Sequence, residues 1–295
     1  MFFKTQNTEV SGVFYMILCM LFFSINDALI KYIMVIYKDI TILGEIIFIR
    51  GVISTVILGL YLYFKKKLTL GIMTSKPLHA RGAVESIAAV FFFLGLMYLP
   101  FGELYSLLNL APILITAAGA FILREKVGWR RWTAVIIGFI GVMIVINPNN
   151  LQFGFAFIYP LISAIFITQR DTITRKYLEK FDSLQVVFIT SLSVTFLFSF
   201  GMLINYQPIN LEIFFYIFLS AIFVTIGYYF SVLTIKTVNI STTSPFRYTI
   251  IIFGIIFGYF IFGEIPSANM IVGSLLIVGS GIFIIFRQKK IGITD

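Results

Sequence analysis

Gly258-Tyr259-Phe260-Ile261-Phe262-Gly263-Glu264 repeats, at an offset of 139 residues, the stretch Gly119-Ala120-Phe121-Ile122-Leu123-Arg124-Glu125, with four of seven positions identical. The correspondence extends outward. Ala134 falls on Gly273, Gly141 on Ser280, Ser24 on Ser163 and Lys31 on Arg170. Self-similarity at a fixed offset marks a duplicated structural unit. The material of each unit is apolar. Of 295 residues, 59% are hydrophobic and 12% charged, against roughly 25% charged in soluble domains. About 20 apolar residues are needed for a helix to cross the ~30 Å hydrocarbon core, where a helix satisfies all its backbone groups internally.

Ten stretches suit such a crossing: 11–36, 42–64, 79–99, 103–123, 132–147, 153–173, 184–204, 211–233, 241–262 and 267–286. The expected fold is all-α: a polytopic membrane protein of ten transmembrane helices in two five-helix repeats, residues 1–148 and 149–295. An odd number of spans per copy forces the copies into opposite orientations. Glu125 then closes the fourth span on one side of the membrane and Glu264 the ninth on the other. Inverted repeats place a substrate site near the midplane, where rocking of the copies gives alternating access. The first span is too long for a signal-peptide core, carries Asn26 and Asp27, and lacks a small-residue cleavage site.

The net charge of +9 is distributed by topology. With the N-terminus in the cytoplasm, 18 Lys and Arg fall on the cytoplasmic side and only Lys38 on the other, while Lys31, Arg50 and Arg247 lie within spans. This is the positive-inside bias of short loops. It puts both termini in the cytoplasm and argues against nucleic acid as a partner. Cys19 is the single cysteine and His79 the single histidine. No disulfide framework, zinc cluster or His-based triad can be built from them. No GxxxxGK[ST] loop is present, so direct ATP-driven transport is not expected. No cofactor is indicated.

Several segments resemble the drug/metabolite transporter superfamily in its ten-helix EamA type. They are Phe48-Ile49-Arg50, Arg81-Gly82-Ala83, Leu110-Ala111-Pro112-Ile113, the run Glu125–Trp132, Ser244-Pro245-Phe246-Arg247-Tyr248 and Phe262-Gly263-Glu264-Ile265-Pro266. The resemblance covers nearly the whole chain. It implies a secondary transporter of the inner membrane that moves small organic metabolites, amino acids and their derivatives being the usual cargo. S-adenosylmethionine uptake carriers are one similar branch; riboflavin carriers and amino-acid exporters are others. A multidrug or nucleoside-type carrier is the alternative within the fold. A membrane-embedded enzyme or a channel is the alternative outside it, though neither a cluster of catalytic groups nor a ring of like charges stands out.

Ionisable groups at membrane depth are costly and are functional candidates by default. Asp27 and Arg50 lie at similar depth on consecutive antiparallel spans and are expected to pair, either beside a central cavity where a zwitterionic substrate competes for them or as a permanent packing pair. Lys31, one turn from Asp27, is a rival partner for it, or snorkels to the interface. Glu85 and Arg247 belong to different repeats and sit at equal depth from the cytoplasmic side; they are expected to form a gate, unless Arg81, one turn away, takes Glu85 instead. Arg170 and Asp171 are read as boundary residues. Pro112, Pro160 and Pro245 free backbone carbonyls that can face a site. Tyr105, Asn109, Tyr228 and Tyr248 are candidate contacts for a small metabolite. Gly254 and Gly258 form a GxxxG step suited to close packing. The expected partners are a small-molecule substrate and the lipid bilayer. A coupling proton on Asp27 or Glu85 is compatible with this pattern but not demanded by it, as is either a monomer or a homodimer.

Overall fold

A computed structural model describes residues 2–37, 42–110, 114, 129–146, 154–177, 180–202, 209–237 and 244–291. Pro112, the stretch Gly119–Glu125 and Lys126 lie outside the described residues, as do Asn147-Pro148-Asn149-Asn150. The helices are α1 (Phe2–Tyr37), α2 (Ile42–Phe64), α3 (Leu70–Met73), α4 (Lys76–Tyr98), α5 (Phe101–Leu108) and α6 (Trp129–Ile146). They continue with α7 (Ile158–Tyr177), α8 (Ser183–Met202), α9 (Leu211–Thr237), α10 (Thr249–Phe262) and α11 (Ala268–Ile291). Short 3-10 turns precede α7 (Gly154–Phe157) and α10 (Ser244–Tyr248).

Among the described residues, five helical stretches are long and apolar enough to cross a membrane: Val10–Tyr37, Ile42–Phe64, Lys76–Tyr98, Ser183–Gly201 and Leu211–Thr237. With 23 residues each, α2 and α4 are about 35 Å long at 1.5 Å per residue, enough for the hydrocarbon core. Each of the other expected spans carries described helix, the fourth of them chiefly as α5.

Packing runs between distant parts of the chain. The most extensive contacts join α1 to α9, α2 to α8, α4 to α7 and α6 to α11. Apolar side chains are no more stable against protein than against lipid tails, so close backbone approach through small residues does much of the work. A Cβ on Gly44 of α2 would lie 2.8 Å from the backbone of Gly201 in α8, which leaves no room for any side chain there.

The two ends of the bundle are tied differently. At one end Lys67 pairs with Asp182 at 2.5 Å, and Lys236 donates to the Phe181 carbonyl. Asp182 also caps α8: its Oδ1 accepts from Leu184 N–H at 3.1 Å, while Gln185 Oε1 accepts from Asp182 N–H at 2.9 Å. This reciprocal arrangement is a capping box. Burial works against the Asp182 carboxylate, but the Lys67 ammonium and the Leu184 N–H together hold it below the usual carboxylate range. At the opposite end α10 stops in a Schellman turn. Gly263 is left-handed (φ 66°), its N–H reaches Tyr259 O at 3.1 Å, and Glu264 N–H reaches Gly258 O at 2.9 Å. That turn aims the Glu264 side chain at α1.

Two spans carry irregular backbone among the described residues. Helix α5 stops at Leu108, where the Asn109 amide folds back to donate to Tyr105 O at 2.8 Å. The ninth span begins in the 3-10 turn that carries Arg247. Irregular backbone at membrane depth is tolerated where protein buries it or where it lines a cavity. Leu108, Asn109, Arg247 and Ile250 do line the central one.

Candidate functional site: a charged cavity between two ion-paired clusters

A cavity of about 150 Å³ lies where α1, α2, α4, α7 and α9 meet the two interrupted spans. Its wall is mostly apolar and aromatic (Phe23, Phe92 and Phe93 among others), with five charged side chains: Asp27, Arg50, Glu85, Arg170 and Arg247. Of the other candidates from the sequence, Asn109 and Tyr228 also line it, whereas Tyr105 and Tyr248 do not. Tyr105 stands behind the wall, fully buried, and its hydroxyl donates to Asp27 Oδ2 at 2.8 Å. The Tyr248 hydroxyl is buried without a hydrogen-bond partner among the described residues.

Asp27 and Arg50 do not pair directly. Asn26 separates them: its Nδ2 donates to Asp27 Oδ1 at 2.8 Å, and its Oδ1 accepts from Arg50 Nη1 at 3.0 Å and from Ser220 Oγ at 2.6 Å. The Arg50 guanidinium lies 5.2 Å over the Phe93 ring. Asn26 precedes Asp27 on α1, so the same helix that supplies the carboxylate also supplies the spacer. Nor does Lys31 reach Asp27.

On the side of the cavity toward Lys67, an ionic chain crosses between helices. The Tyr228 hydroxyl donates to Glu85 Oε1. Arg170 Nη1 reaches Glu85 Oε2 at 2.8 Å, and Arg170 Nε reaches Asp171 Oδ1 at 2.9 Å. Arg247 Nη1 closes the chain on Asp171 Oδ2 at 2.6 Å. Glu85 and Arg247 thus communicate through two residues, not by the direct contact expected from their depth. Arg81 is not the partner of Glu85 either: its Nε donates to Thr174 Oγ1 at 2.8 Å and its Nη1 to Thr190 Oγ1. Arg170 and Asp171 are 6% and 7% exposed. They are the middle of this network rather than boundary residues, because α7 turns the face that carries them inward against α4.

On the other side of the cavity a second ion-paired cluster is built on Lys31. Its Nζ pairs with Glu264 Oε1 at 2.5 Å and donates to Leu99 O at 3.0 Å. It also lies over the rings of Phe101 and Phe262, 4.7 and 5.3 Å from their centroids. Glu264 Oε2 accepts from Phe101 N–H at 2.9 Å. Lys31 therefore does not snorkel; it clamps α1 to the ends of α4 and α10. Both glycines of the GxxxG step stand against this machinery. A Cβ on Gly254 would lie 2.3 Å from the Tyr105 ring, and one on Gly258 2.8 Å from Glu264 Oε2.

A family model described as the EamA-like transporter family matches residues 10–147 and again 154–287. The chain belongs to the EamA-like transporter family. Among its EamA relatives is the S-adenosylmethionine uptake transporter of Rickettsia prowazekii (strain Madrid E), 26% identical over 289 residues, covering 96% of this chain and 95% of the relative. The S-adenosylmethionine uptake transporter of Rickettsia bellii (strain RML369-C) is 27% identical over 288 residues, with 95% and 94% covered. A solved crystal structure superposes on 90% of this EamA chain and 95% of its own with a TM-score of 0.61 at 14% identity, which speaks for the fold alone. The EamA assignment makes the protein a multi-pass membrane transporter. Among the described residues no group of three or more His, Cys, Asp and Glu is placed to hold a metal ion.

The sequence drew attention to Asp27, Arg50, Glu85 and Arg247 but passed over Asn26, Arg170, Asp171 and Glu264. A signal for one of them, Arg170, was present. Lys31 and Arg170 correspond across the repeat, and a cation at the equivalent position of both copies within apolar spans is unusual enough to make both positions candidates.

Proposed function

We propose that this transporter moves a small organic metabolite of the S-adenosylmethionine kind by alternating access, with both termini in the cytoplasm. Two inverted repeats, residues 1–148 and 149–295, would be the moving bodies. Support for the repeats comes from the two matches of the family model and from the crossed packing. Helix α1, the first span of one copy, packs on α9, the third of the other; α7, the first span of the second copy, packs on α4, the third of the first.

The observation that carries the mechanism is the position of the ion pairs. A cavity of about 150 Å³ is the size that holds a single aromatic ring. It lies between Lys31–Glu264 at one end and Glu85–Arg170–Asp171–Arg247 at the other. Each set contains a bond between opposite halves of the chain, Lys31–Glu264 in one and Glu85–Arg170 in the other. A nucleoside-sized cargo needs more room than this, so the walls would have to part as one set opens. Each opening exchanges contacts between the two states, as a switch requires. On the charge bias of the loops, Lys31–Glu264 is the outer closure and the Arg170 network the inner.

Counterflow in proteoliposomes tests the reading. Vesicles preloaded with unlabelled S-adenosylmethionine should take up the labelled compound transiently and saturably, and purified protein should gain thermal stability with the same ligand by mass action. Uptake that never saturates, or no effect of this compound on either measurement, would remove the substrate assignment.

A further inference from the structure

Three of the five charged side chains on the cavity wall are already ion-paired. Glu85 holds Arg170, and Arg247 holds Asp171. Asp27 and Arg50 differ. Among the described residues, no cationic nitrogen lies within 4.0 Å of the Asp27 carboxylate and no carboxylate oxygen within 4.0 Å of the Arg50 guanidinium. Their partners are neutral: the Tyr105 hydroxyl and the Asn26 amide for Asp27, the Asn26 carbonyl oxygen and the Phe93 ring for Arg50. Both are 5% exposed, so water does little to neutralise either charge.

Both also have bonding capacity left. A guanidinium offers five N–H donors, of which one is engaged, on Asn26. A carboxylate offers about four acceptor positions, of which two are filled. Asn26 keeps the charges apart, and its own amide is locked. Its oxygen receives both Arg50 and Ser220, so its NH₂ must face Asp27. The result is a fixed anion and a fixed cation on one wall, held one amide apart and each short of a charged partner.

We propose that Asp27, Asn26 and Arg50 form the subsite for an α-amino-acid head group, with the cargo carboxylate on the free donors of Arg50 and its ammonium on Asp27. An α-amino acid presents its two charges one carbon apart, a spacing that suits sites separated by a single side-chain amide. Because the pair has no net charge, a zwitterion balances it. A phosphate or an unaccompanied organic cation would leave one of the two charges uncompensated inside the membrane. The rest of the cargo extends toward Phe92 and Tyr228 on the same wall. The subsite rests on the transporter reading for its cargo and defines the part of that cargo that is recognised.

The test is a cycle between ligand groups and side chains, read as ligand-induced thermal stabilisation and as competition for uptake. The probes are S-adenosylmethionine, its decarboxylated form, a form lacking the amino group, 5′-methylthioadenosine and methionine. Against the wild type, removal of the carboxylate or of the ammonium should weaken binding about 10- to 100-fold, the range of a lost charge-assisted hydrogen bond. In Arg50→Gln the carboxylate should cease to matter, its removal costing less than about threefold, while the amino group still counts. Asp27→Asn should show the reverse. The wild-type comparison among probes needs no variant, so a misfolded substitution does not hide the answer. Equal binding of all four adenosyl probes to the wild type overturns the subsite, as does 5′-methylthioadenosine binding best or silence from every probe at millimolar concentration. Methionine binding through Arg50 while S-adenosylmethionine does not bind would overturn the substrate assignment and leave the subsite standing.

Discussion

Breaking the Lys31–Glu264 bond should release the outer closure proposed above, by an amount that the geometry bounds. An exposed ion pair is worth roughly 0.2–1 kcal/mol, and stripping one partner from a fully buried pair costs about 3–5 kcal/mol. The side chains of Lys31 and Glu264 are 10% and 20% exposed, between these limits and nearer the buried one. Lys31 keeps the Leu99 carbonyl when Glu264 is lost, and Glu264 keeps the Phe101 N–H when Lys31 is lost. A loss of about 2 kcal/mol follows, which shifts the ratio of closed to open protein about 30-fold. The assay uses a cysteine at the cavity residue Asn109, in a Cys19→Ala background, labelled by a membrane-impermeant maleimide. In right-side-out vesicles, Lys31→Met and Glu264→Gln should each accelerate labelling about 30-fold. The double variant should fall well short of the product of the two effects, since the second change removes a bond already gone. Additive effects, or unchanged labelling in all three proteins, would refute the closure. Acceleration only in inverted vesicles would leave the closure intact and reverse the orientation of the chain.

Arg50→Lys keeps the charge but not the planar fork of donors, so uptake at normal expression should fall at least about tenfold; near-normal uptake would remove Arg50 from recognition. Asp171→Asn removes the carboxylate shared by Arg170 and Arg247. It should destabilise the protein by about 3 kcal/mol or more, seen as a lowered melting temperature in detergent, and an unchanged melting temperature would mean that the network carries no stability. Gly254→Ala should push the Tyr105 ring off Asp27 and lower both stability and uptake, by about 1–3 kcal/mol of overpacking; a neutral result would show that the Tyr105 ring has room to yield. Asp182→Ala removes the cap of α8, worth about 0.5–2 kcal/mol. Because Asp182 is held below its ordinary value by Lys67 and Leu184 against burial, that contribution is complete above the unfolded carboxylate value near 3.9 and disappears as pH falls below it. Wild type and variant should therefore converge in stability in acid, and a gap that persists there would contradict the assignment.

The fold was readable because its cause is crude. Hydrocarbon accepts only backbones that satisfy themselves, so apolar length alone locates the helices. The site was legible only where one residue type is costly wherever it points. Arg50 and Asp27 stand out in an apolar span whatever they touch. What they touch depends on rotation about the helix axis and on a neighbour's small polar group, and Asn26 drew no notice because an amide in a span is cheap compared with a charge. Equal depth suggested that Glu85 meets Arg247. The structure puts Arg170 and Asp171 between them, because α7 faces α4 with that edge. Depth is one coordinate; pairing needs the azimuth as well, and the hydrophobic pattern of a helix surrounded by apolar partners does not encode it.

The charges on the cavity wall bear on how transport could be driven. Counted at their ordinary charges, Asp27 and Glu85 on the wall and Asp171 behind it cancel Arg50, Arg170 and Arg247, and beyond the cavity Lys31 cancels Glu264. Balanced charges that move together carry no net charge through the membrane field, so voltage then acts chiefly on the cargo. The field is worth about 2.3 kcal/mol per elementary charge per 100 mV. A zwitterion with no further charge would feel none of it. A zwitterion that also bears one cationic centre would be drawn toward the negative side, enough for an accumulation of about 40-fold at ~100 mV. Imposing a potassium diffusion potential on proteoliposomes would separate the two cases, with direction set by the charge of the cargo and the sign of the voltage rather than by a coupled ion.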